Sequence, residues 1–289
     1  MGIILNILFV VMIIVLGLVG VVGVKLFGIL KENRENFRVV LDNERLHVVT
    51  VPAGVLQANC ILVADKLSKN AVIVDAGGDP GKEFLSVISD NGYFIKYILA
   101  THAHFDHVAG FSKMKKRFPE AKVGVHISDK ELYVDVPKQP ALFNLPKMGS
   151  VPDCDILLKD KQILHLGAIG IKVIHTPGHS PGGVLFDIGP GDVLLTGDTL
   201  MMGGFGRTDL WGGSSKALEK SFSKFSTFPD DMIIVSGHGP ETTIGYERKW
   251  NFYSHFMKFK QRSIPSDTTR TIDREKKEDS FVSSSREYL

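Results

Sequence analysis

Short apolar segments alternate with amphipathic segments through the middle of the chain. Segments such as Cys60–Ala64 and Ile95–Ala100 are mostly apolar and rich in β-branched or aromatic residues, which predicts buried strands. The same criteria predict strands at Arg38–Leu41, His47–Val51, Ala71–Asp75, Val123–His126, Ile171–His175, Val184–Ile188, Val193–Thr196 and Met232–Ser236, and helices at Lys82–Asp90, Val108–Phe118, Ser214–Phe225 and Glu247–Phe259. This mixture predicts an α+β or α/β domain built from layers of sheet and helix.

The N-terminal segment differs in composition from the rest of the chain. Residues 2–24 contain no charged side chain, and about 20 apolar residues in a helix are enough to span a bilayer. No basic residue precedes this run and no Ala-x-Ala motif follows it, which favours an uncleaved anchor over the alternative, a cleaved signal peptide. We expect a transmembrane helix and its flank in residues 1–31, a linker in residues 32–37, and the lipid bilayer as partner of residues 2–24.

Basic residues follow the apolar run, at Lys25, Lys31, Arg34 and Arg38. The positive-inside rule places such a flank in the cytoplasm. The sequence therefore predicts a single-pass membrane protein whose main domain lies on the cytoplasmic side.

Composition narrows the remaining possibilities. Residues 263–289 are rich in polar and charged side chains, which predicts a disordered tail and leaves residues 38–262 as the globular domain. The 34 basic and 32 acidic residues nearly balance, which disfavours nucleic acid as a partner. Cys60 and Cys154 are expected to be reduced thiols. The sequence identifies no protein partner.

The strongest chemical signal is the segment from Thr101 to His107, which directly follows the predicted strand Ile95–Ala100. Side chains two apart along an extended chain point the same way, so His102 and His104 can converge on one ion. Asp106 and His107 lie in the turn that opens the next helix and can reach a neighbouring ion. Imidazole and carboxylate are ligands that Zn²⁺ and similar metals accept, so this segment predicts a metal site.

Three later residues share one sequence arrangement, an apolar strand followed by glycine and then a potential ligand. They are His179 in TPGHSPGG, Asp198 in TGDT and His238 in SGHGP. Loops at the edge of a rigid sheet present functional side chains in this way. The three are therefore expected to join the cluster of residues 102–107.

These motifs resemble the metallo-β-lactamase fold superfamily, in its glyoxalase II-like (hydroxyacylglutathione hydrolase) branch. The resemblance rests on HxHxDH, on GDTLMMGGFGRTDLWGG from Gly197 to Gly213 and on the GHGP run that begins at Gly237, and it covers roughly residues 38–260. It implies a four-layer αββα sandwich with metals at the loop edge. It also implies two metal sites, one held by His102, His104 and His179 and the other by Asp106, His107 and His238, with Asp198 bridging them.

The resemblance further implies two divalent ions, most simply Zn²⁺ with iron or manganese as alternatives, and a small-molecule thioester or ester as substrate. A water between two such ions becomes a hydroxide that attacks the substrate carbonyl. Asp106 and Asp198 are the expected catalytic carboxylates. Asp75 corresponds to a carboxylate that steadies a ligand, although a turn-capping Asp is the alternative.

Substrate contacts are expected from Arg207, Tyr246, Arg248 and Lys249, but for Arg207 a buried structural ion pair with Asp209 near the site is the preferred interpretation. The run Trp250-Asn251-Phe252-Tyr253 replaces an Asn-Pro-Phe run of related enzymes. We also expect the chain to lack the long helical C-terminal domain of the larger glyoxalase II enzymes. Specificity for glutathione therefore stays open.

Four other functions compete with thioester hydrolysis. An iron-dependent persulfide (sulfur) dioxygenase keeps largely the same motif residues, and a lactonase uses the same metal chemistry. The complete set of seven ligands disfavours a non-catalytic scaffold. A β-lactamase is disfavoured because Asp198 occupies the position where those enzymes typically carry a cysteine ligand.

Overall fold

Two β-sheets dominate the part of the chain that the computed structural model describes, residues 37–189 and 191–251. The first sheet contains β1 (Arg38–Asp42), β2 (Leu46–Ala53), β3 (Ala58–Asp65), β4 (Asn70–Val74), β5 (Phe94–Leu99), β6 (Lys122–His126) and β7 (Ile156–Leu158), in that order. The second has the order β13-β12-β11-β10-β9-β8 and consists of β8 (Ile163–Leu166), β9 (Ile169–His175), β10 (Val184–Ile188), β11 (Val193–Gly197), β12 (Ile233–Ser236) and β13 (Thr242–Thr243).

Short helices connect the strands. They are α1 (Gly81–Asp90), α2 (Phe105–Val108), α3 (Phe111–Arg117), α4 (Lys130–Val134), α5 (Ser215–Phe222) and α6 (Ile244–Trp250), with 3₁₀ segments at Ile127–Asp129, Val136–Phe143 and Ser223–Thr227. In the first sheet β1 to β4 pair antiparallel and β4 to β7 pair parallel. The second sheet is antiparallel except for the pair β11 and β12. Parallel β4 and β5 therefore end at the same edge of the first sheet, where residues 101–107 begin.

Alternating side chains divide the interior into three apolar clusters. Leu62 on β3 packs in the cluster that includes Phe84 of α1, whereas its neighbour Ile61 packs between the two sheets. Leu194 on β11 faces a third cluster that includes Phe222 of α5. Because successive side chains of a strand point to opposite faces, each sheet is covered on both sides. The layers follow the order helix, sheet, sheet, helix, which confirms the predicted mixed sandwich.

The helix predicted at Val108–Phe118 is in fact two helices, α2 and α3. The break lies at Gly110, whose N–H donates to Ala76 O at 2.7 Å. A Cβ at Gly110 would lie 2.3 Å from Gly78 O, so only glycine fits here. Close packing of this turn against residues 76–78 overrides the helical periodicity.

Two other predicted helices also have different bounds. The helix expected at Ser214–Phe225 becomes α5 followed by a 3₁₀ segment. The helix expected at Glu247–Phe259 begins earlier, at Ile244, and gives way at Asn251 to an extended backbone with φ −64° and ψ 134°. Both cysteines are free, as expected.

The predicted anchor, its linker up to residue 36, and the predicted tail lie outside the described residues, as do residues 252–262 of the predicted domain. Within residues 37–189 and 191–251, no helix is long and apolar enough to cross a membrane.

Candidate metal centre

The seven predicted ligands come together at one edge of the sandwich, on loops that follow strands of both sheets. His102, His104, Asp106 and His107 follow β5, while His179, Asp198 and His238 follow β9, β11 and β12. Their ligand atoms form three overlapping groups, His102–His104–His179, His102–His107–Asp198 and Asp106–His107–His238. Within each group the atoms lie within 4.8 Å of one another.

The first half of the cluster consists of three imidazoles whose nitrogen atoms face one another. His179 Nε2 lies 2.9 Å from His104 Nδ1 and 3.2 Å from His102 Nε2. Asp198 Oδ2 lies 3.4 Å from the same His179 nitrogen. Ligand atoms bound at about 2.05 Å to a tetrahedral Zn²⁺ are themselves about 3.3 Å apart, so these spacings match one ion.

The second half of the cluster contains more carboxylate. Asp106 Oδ2 lies 3.2 Å from His238 Nε2 and 3.6 Å from His107 Nε2. Asp198 reaches this half as well, with Oδ1 3.6 Å from His107 Nε2 and Oδ2 3.8 Å from His238 Nε2. Asp198 thus stands between the two groups, as the bridging position requires.

Hydrogen bonds at the outer nitrogens orient three of the imidazoles. His107 Nδ1 donates to Asp75 Oδ2 at 3.0 Å and His179 Nδ1 donates to Arg207 O at 2.7 Å. His102 Nδ1 lies 3.1 Å from Thr101 Oγ1. Because each Nδ1 is engaged outside the cluster, each Nε2 faces its centre and is the nitrogen available to bind an ion.

Two buried polar atoms in the cluster have no hydrogen-bond partner, His107 Nε2 and Asp198 Oδ1. Buried polar atoms are rarely left unpaired in proteins, so these two point to an ion. Glycines make the necessary room: a Cβ at Gly237 would lie 2.1 Å from Asp198 Oδ1, and one at Gly206 would lie 2.6 Å from His179 Nδ1. The residues present therefore fit two divalent metal ions.

Asp75 holds one end of the 101–107 loop. It follows β4 with a φ of 57°, and its carboxylate accepts from Thr101 N and Thr101 Oγ1, both at 2.7 Å, as well as from His107 Nδ1. The carboxylate is therefore a support for a ligand rather than a turn cap.

Two further side chains hold the middle of this loop, and sequence reasoning identified neither of them. The buried carboxylate of Asp129 accepts from Ala103 N at 2.9 Å, and also from Ser180 Oγ at 2.8 Å and Gly182 N. It thereby ties the first ligand loop to the loop that carries His179. No motif marks Asp129, because its partners are backbone atoms and a serine far along the chain.

Gln139 lies on the 3₁₀ segment Val136–Phe143 and is also buried. Its Nε2 donates to Ala103 O at 3.0 Å and to Leu132 O at 2.9 Å, and its Oε1 accepts from Phe105 N at 2.9 Å. The backbone between His102 and Asp106 is thus fixed by a side chain that binds no metal.

The two halves of the cluster have opposite electrostatic character. Burial, with the nearby His179, lowers the pKa of His104 to about 3. Burial would also lower the pKa of His107, but the carboxylates of Asp106, Asp75 and Asp198 outweigh it and raise that pKa to about 10. The histidine-rich half therefore presents neutral imidazole, the form that binds metal, and the carboxylate-rich half attracts positive charge.

The four residues predicted to contact substrate are spread over two segments. Arg207 forms an ion pair with Asp209, with 2.6 Å between Nη2 and Oδ2, but both side chains are exposed, so the preferred prediction of a buried pair is wrong. Arg248 bonds to Phe225 O and Phe228 O and so ties α6 to the preceding segment.

Tyr246 and Lys249 also lie on α6. The Lys249 ammonium lies 4.7 Å from the centre of the Trp250 ring. Their contact with a substrate stays a prediction.

Comparison with known proteins matches these observations. The sequence profile of the metallo-beta-lactamase superfamily matches residues 53–238. The hydroxyacylglutathione hydrolase GloC of Haemophilus influenzae is 34% identical over 207 residues, which make up 71% of this chain and 97% of the relative.

Two crystal structures are similar in both fold and sequence. BLEG-1, described as a B3 metallo-beta-lactamase, has a TM-score of 0.65 at 33% identity, covering 71% of this chain and 98% of the other. TTHA1623 in a di-iron-bound form has a TM-score of 0.63 at 32% identity, with the same coverage of 71% and 98%.

Proposed function

The chain belongs to the metallo-beta-lactamase superfamily, and we propose that it is a membrane-anchored hydrolase that uses two divalent metal ions to cleave a thioester or related ester. The observation that carries this proposal is the set of seven converging His and Asp side chains, with two buried atoms left unpaired. The similarity to a hydroxyacylglutathione hydrolase supports a thioester of the S-acylglutathione type as substrate.

In this proposal His102, His104 and His179 would hold one ion, Asp106, His107 and His238 would hold the other, and Asp198 would be shared between them. When bound, the two ions lower the pKa of a water molecule to near neutrality and polarise the carbonyl of the substrate. We favour Zn²⁺, and the same ligands also accept iron or manganese.

The side chains of this site have distinct roles in the reaction. Asp106 lies at the open side of the cluster and can orient the attacking water through the oxygen that does not face His238. The His238 side chain is 27% exposed, whereas that of His107 is fully buried. Substrate therefore approaches from the side of His238 and Asp106, while Asp75, Asp129 and Gln139 keep the ligands in place.

Membrane attachment is part of the proposal and rests on the sequence of residues 2–24. That run is uncharged and long enough to span a bilayer. The basic residues that follow it favour an orientation with the enzyme on the cytoplasmic side. Protease protection of the domain in right-side-out cells tests this orientation, and digestion from the outside would refute it.

The test of catalysis uses the full chain in lipid nanodiscs, with its metal content counted and thiol release from S-lactoylglutathione followed. Turnover that is lost on chelation and in Asp198→Ala, but kept in the exposed control Asp153→Ala, supports the proposal. Two bound metals without turnover of this substrate would refute the S-acylglutathione assignment. A β-lactam is assayed in parallel because of the similarity to BLEG-1.

A persulfide dioxygenase is the second candidate. It is favoured by a ligand set that suits iron and by the di-iron form of TTHA1623 at 32% identity. Oxygen consumption with glutathione persulfide by the iron-loaded chain, without thioester turnover, would establish it in place of the hydrolase.

A further inference from the structure

Both ends of the described domain lie at the loop edge that carries the metal cluster. At the beginning, Arg38 donates to Glu241 Oε1 at 2.8 Å and to Gly239 O at 3.3 Å, next to the candidate ligand His238. The strand β1 then runs away from this edge, since Arg38 pairs with Thr50 and Asp42 with His47. The preceding residues therefore enter the domain at the metal-bearing edge.

The last described residue reaches the same edge. Asn251 Nδ2 donates to Gly204 O at 3.0 Å and to Met201 O at 3.2 Å. These carbonyls belong to the loop that follows Asp198, and Gly206 N of that loop donates back to Asp198 O at 2.6 Å. The chain thus enters and leaves the described domain beside the metal cluster.

Four exposed apolar side chains lie on segments next to the cluster. Val55 and Leu56 lie on the turn between β2 and β3, which packs on residues 77–78 beside the backbone of Asp106. Trp211 is 57% exposed on the loop whose Arg207 carbonyl holds His179, and Trp250 is 58% exposed next to Asn251. In membrane proteins, tryptophan is enriched where the protein meets the interface between lipid and water.

The connection to the apolar segment 2–24 is short. Only 13 residues, 25–37, separate that segment from the first strand, whereas a domain of 214 residues is about 40 Å across. An anchor in the bilayer would therefore keep the edge at Arg38 nearer to the lipid than the opposite edge. Lys25, Lys31 and Arg34 in this connection favour an anionic surface.

From these observations we infer that the metal-bearing edge faces the bilayer, with Trp211, Trp250 and the Val55-Leu56 turn in the lipid headgroup region. The substrate class that follows is an amphiphilic acyl thioester or ester that reaches the site from the membrane surface. This inference rests on the proposed function for its anchor and its hydrolytic chemistry. Beyond the proposed function, it specifies that the site faces the bilayer and that the substrate carries an apolar acyl chain.

The reaction on such a substrate is a hydrolysis. Water supplies the oxygen of the new acyl carbon–oxygen bond, the acyl carbon–sulfur bond breaks, and a proton passes to the departing thiolate. Products are a fatty carboxylate and a free thiol, and no oxidant or reductant is needed. The apolar chain stays with the Val55-Leu56 turn and the lipid, while the polar group lies over Asp106 and His238.

Orientation is measured by fluorescence, because the chain contains two tryptophans, Trp211 and Trp250. The full chain is placed in vesicles of phosphatidylcholine and phosphatidylglycerol, with and without bromine on the lipid acyl chains. The variant Trp211→Phe leaves Trp250 as the probe, and Trp250→Phe leaves Trp211. In each variant the remaining tryptophan is expected to lose emission in the brominated vesicles.

A matched control reports on the opposite edge. Leu67 is 76% exposed on the turn between β3 and β4, and Leu67→Trp in a chain lacking both natural tryptophans is expected to keep its emission. Quenching of this probe with none at Trp211 and Trp250 would overturn the inferred orientation. Absence of quenching at all three sites, in a chain that floats with the vesicles, would also overturn it. A chain that does not float would refute the anchor itself.

The substrate class is tested with thioesters of increasing acyl length presented in the same vesicles. We expect kcat/KM to rise roughly tenfold or more between a short chain and a long one, because added methylenes remain in an apolar environment. The variant Leu56→Ser should reduce this preference. Turnover without dependence on chain length would refute the amphiphile while leaving the hydrolase in place, whereas loss of all turnover would refute the hydrolase.

Discussion

The substitution Gln139→Glu tests whether the first ligand loop is held by residues outside the metal site. The new side chain has the same shape, and one carboxylate oxygen can still accept from Phe105 N. The other oxygen would face Ala103 O and Leu132 O. In the unsubstituted protein these two carbonyls accept hydrogen bonds from Gln139 Nε2 at 3.0 and 2.9 Å. Two donated bonds thus become two contacts between oxygen atoms.

The expected magnitude follows from these two bonds. Each buried carbonyl left without a donor costs about 1–3 kcal/mol, so the free energy of unfolding should fall by about 2–6 kcal/mol at neutral pH. A displaced loop also moves His102 and His104, and loss of such supports weakens metal binding about 10–100-fold. The domain is therefore expected to fold but to bind metal poorly.

The effect should depend on pH with a definite sign. Burial against two carbonyls raises the pKa of the introduced carboxyl above its unfolded value of about 4.3. The folded state then binds the proton more tightly than the unfolded state. The loss of stability is complete above the raised pKa and shrinks as the pH falls through it.

The assay compares the full chain and its variants in two measurements. Metal affinity is measured by competition with a chromophoric chelator, and stability by urea unfolding of the metal-free protein across pH. Gln162→Glu is the matched control, because Gln162 Oε1 accepts from Lys159 N at 3.0 Å and a carboxylate keeps that bond. Unchanged metal affinity in Gln139→Glu, even with lower stability, would refute the reasoning, since the ligands would then hold the loop by themselves.

Three further outcomes are expected. Gly237→Ala should abolish metal binding with the fold retained by circular dichroism, because the new methyl would lie 2.1 Å from Asp198 Oδ1; normal metal content would contradict this. In Asp75→Asn the new amide group would point an N–H at a group that now donates to Asp75, either His107 Nδ1 or Thr101. One of the two metals should therefore bind about 10–100-fold more weakly in titrations. Two sites of unchanged affinity would argue against this role of Asp75. Burial and the stacked imidazole of His175 lower the pKa of His126 to about 4. The contribution of neutral His126 to the free energy of unfolding should therefore be complete above pH 6.5 and fall by at most about 3 kcal/mol toward pH 4. The variant His126→Asn should reduce this loss in urea unfolding.

Much of the site could be predicted because its ligands lie in short motifs. The spacing from His102 to His107 and the glycines before Asp198 and His238 are local signals, and the strands before them have clear apolar patterns. Of the three supports, Asp75 was predicted from the resemblance, but Asp129 and Gln139 could not be. Asp129 and Gln139 act on backbone atoms 26 to 53 and 7 to 36 positions away, contacts that exist only after the chain has folded.

Helix boundaries were harder to predict for a similar reason. Val108–Phe118 has good helical periodicity, yet the packing of Gly110 on residues 76–78 interrupts it. Residues Ile244 to Tyr246 join α6 because Thr243 caps it, with its side chain accepting from Tyr246 N. Asn251 ends the helix by bonding to the loop at Met201 and Gly204.

The distance along the chain between ligands has a consequence for how the protein is made and kept. His102 and His179 are 77 positions apart, and an ion shared between them would close that loop as a covalent cross-link does. By the entropy of loop closure such a link stabilises a fold by about 4–5 kcal/mol. Both cysteines are free thiols, so coordination would take the part that disulfides play in secreted proteins. Maturation and lifetime of the protein in the cell would then follow the supply of metal, with copies that miss their ions unfolding and being degraded first.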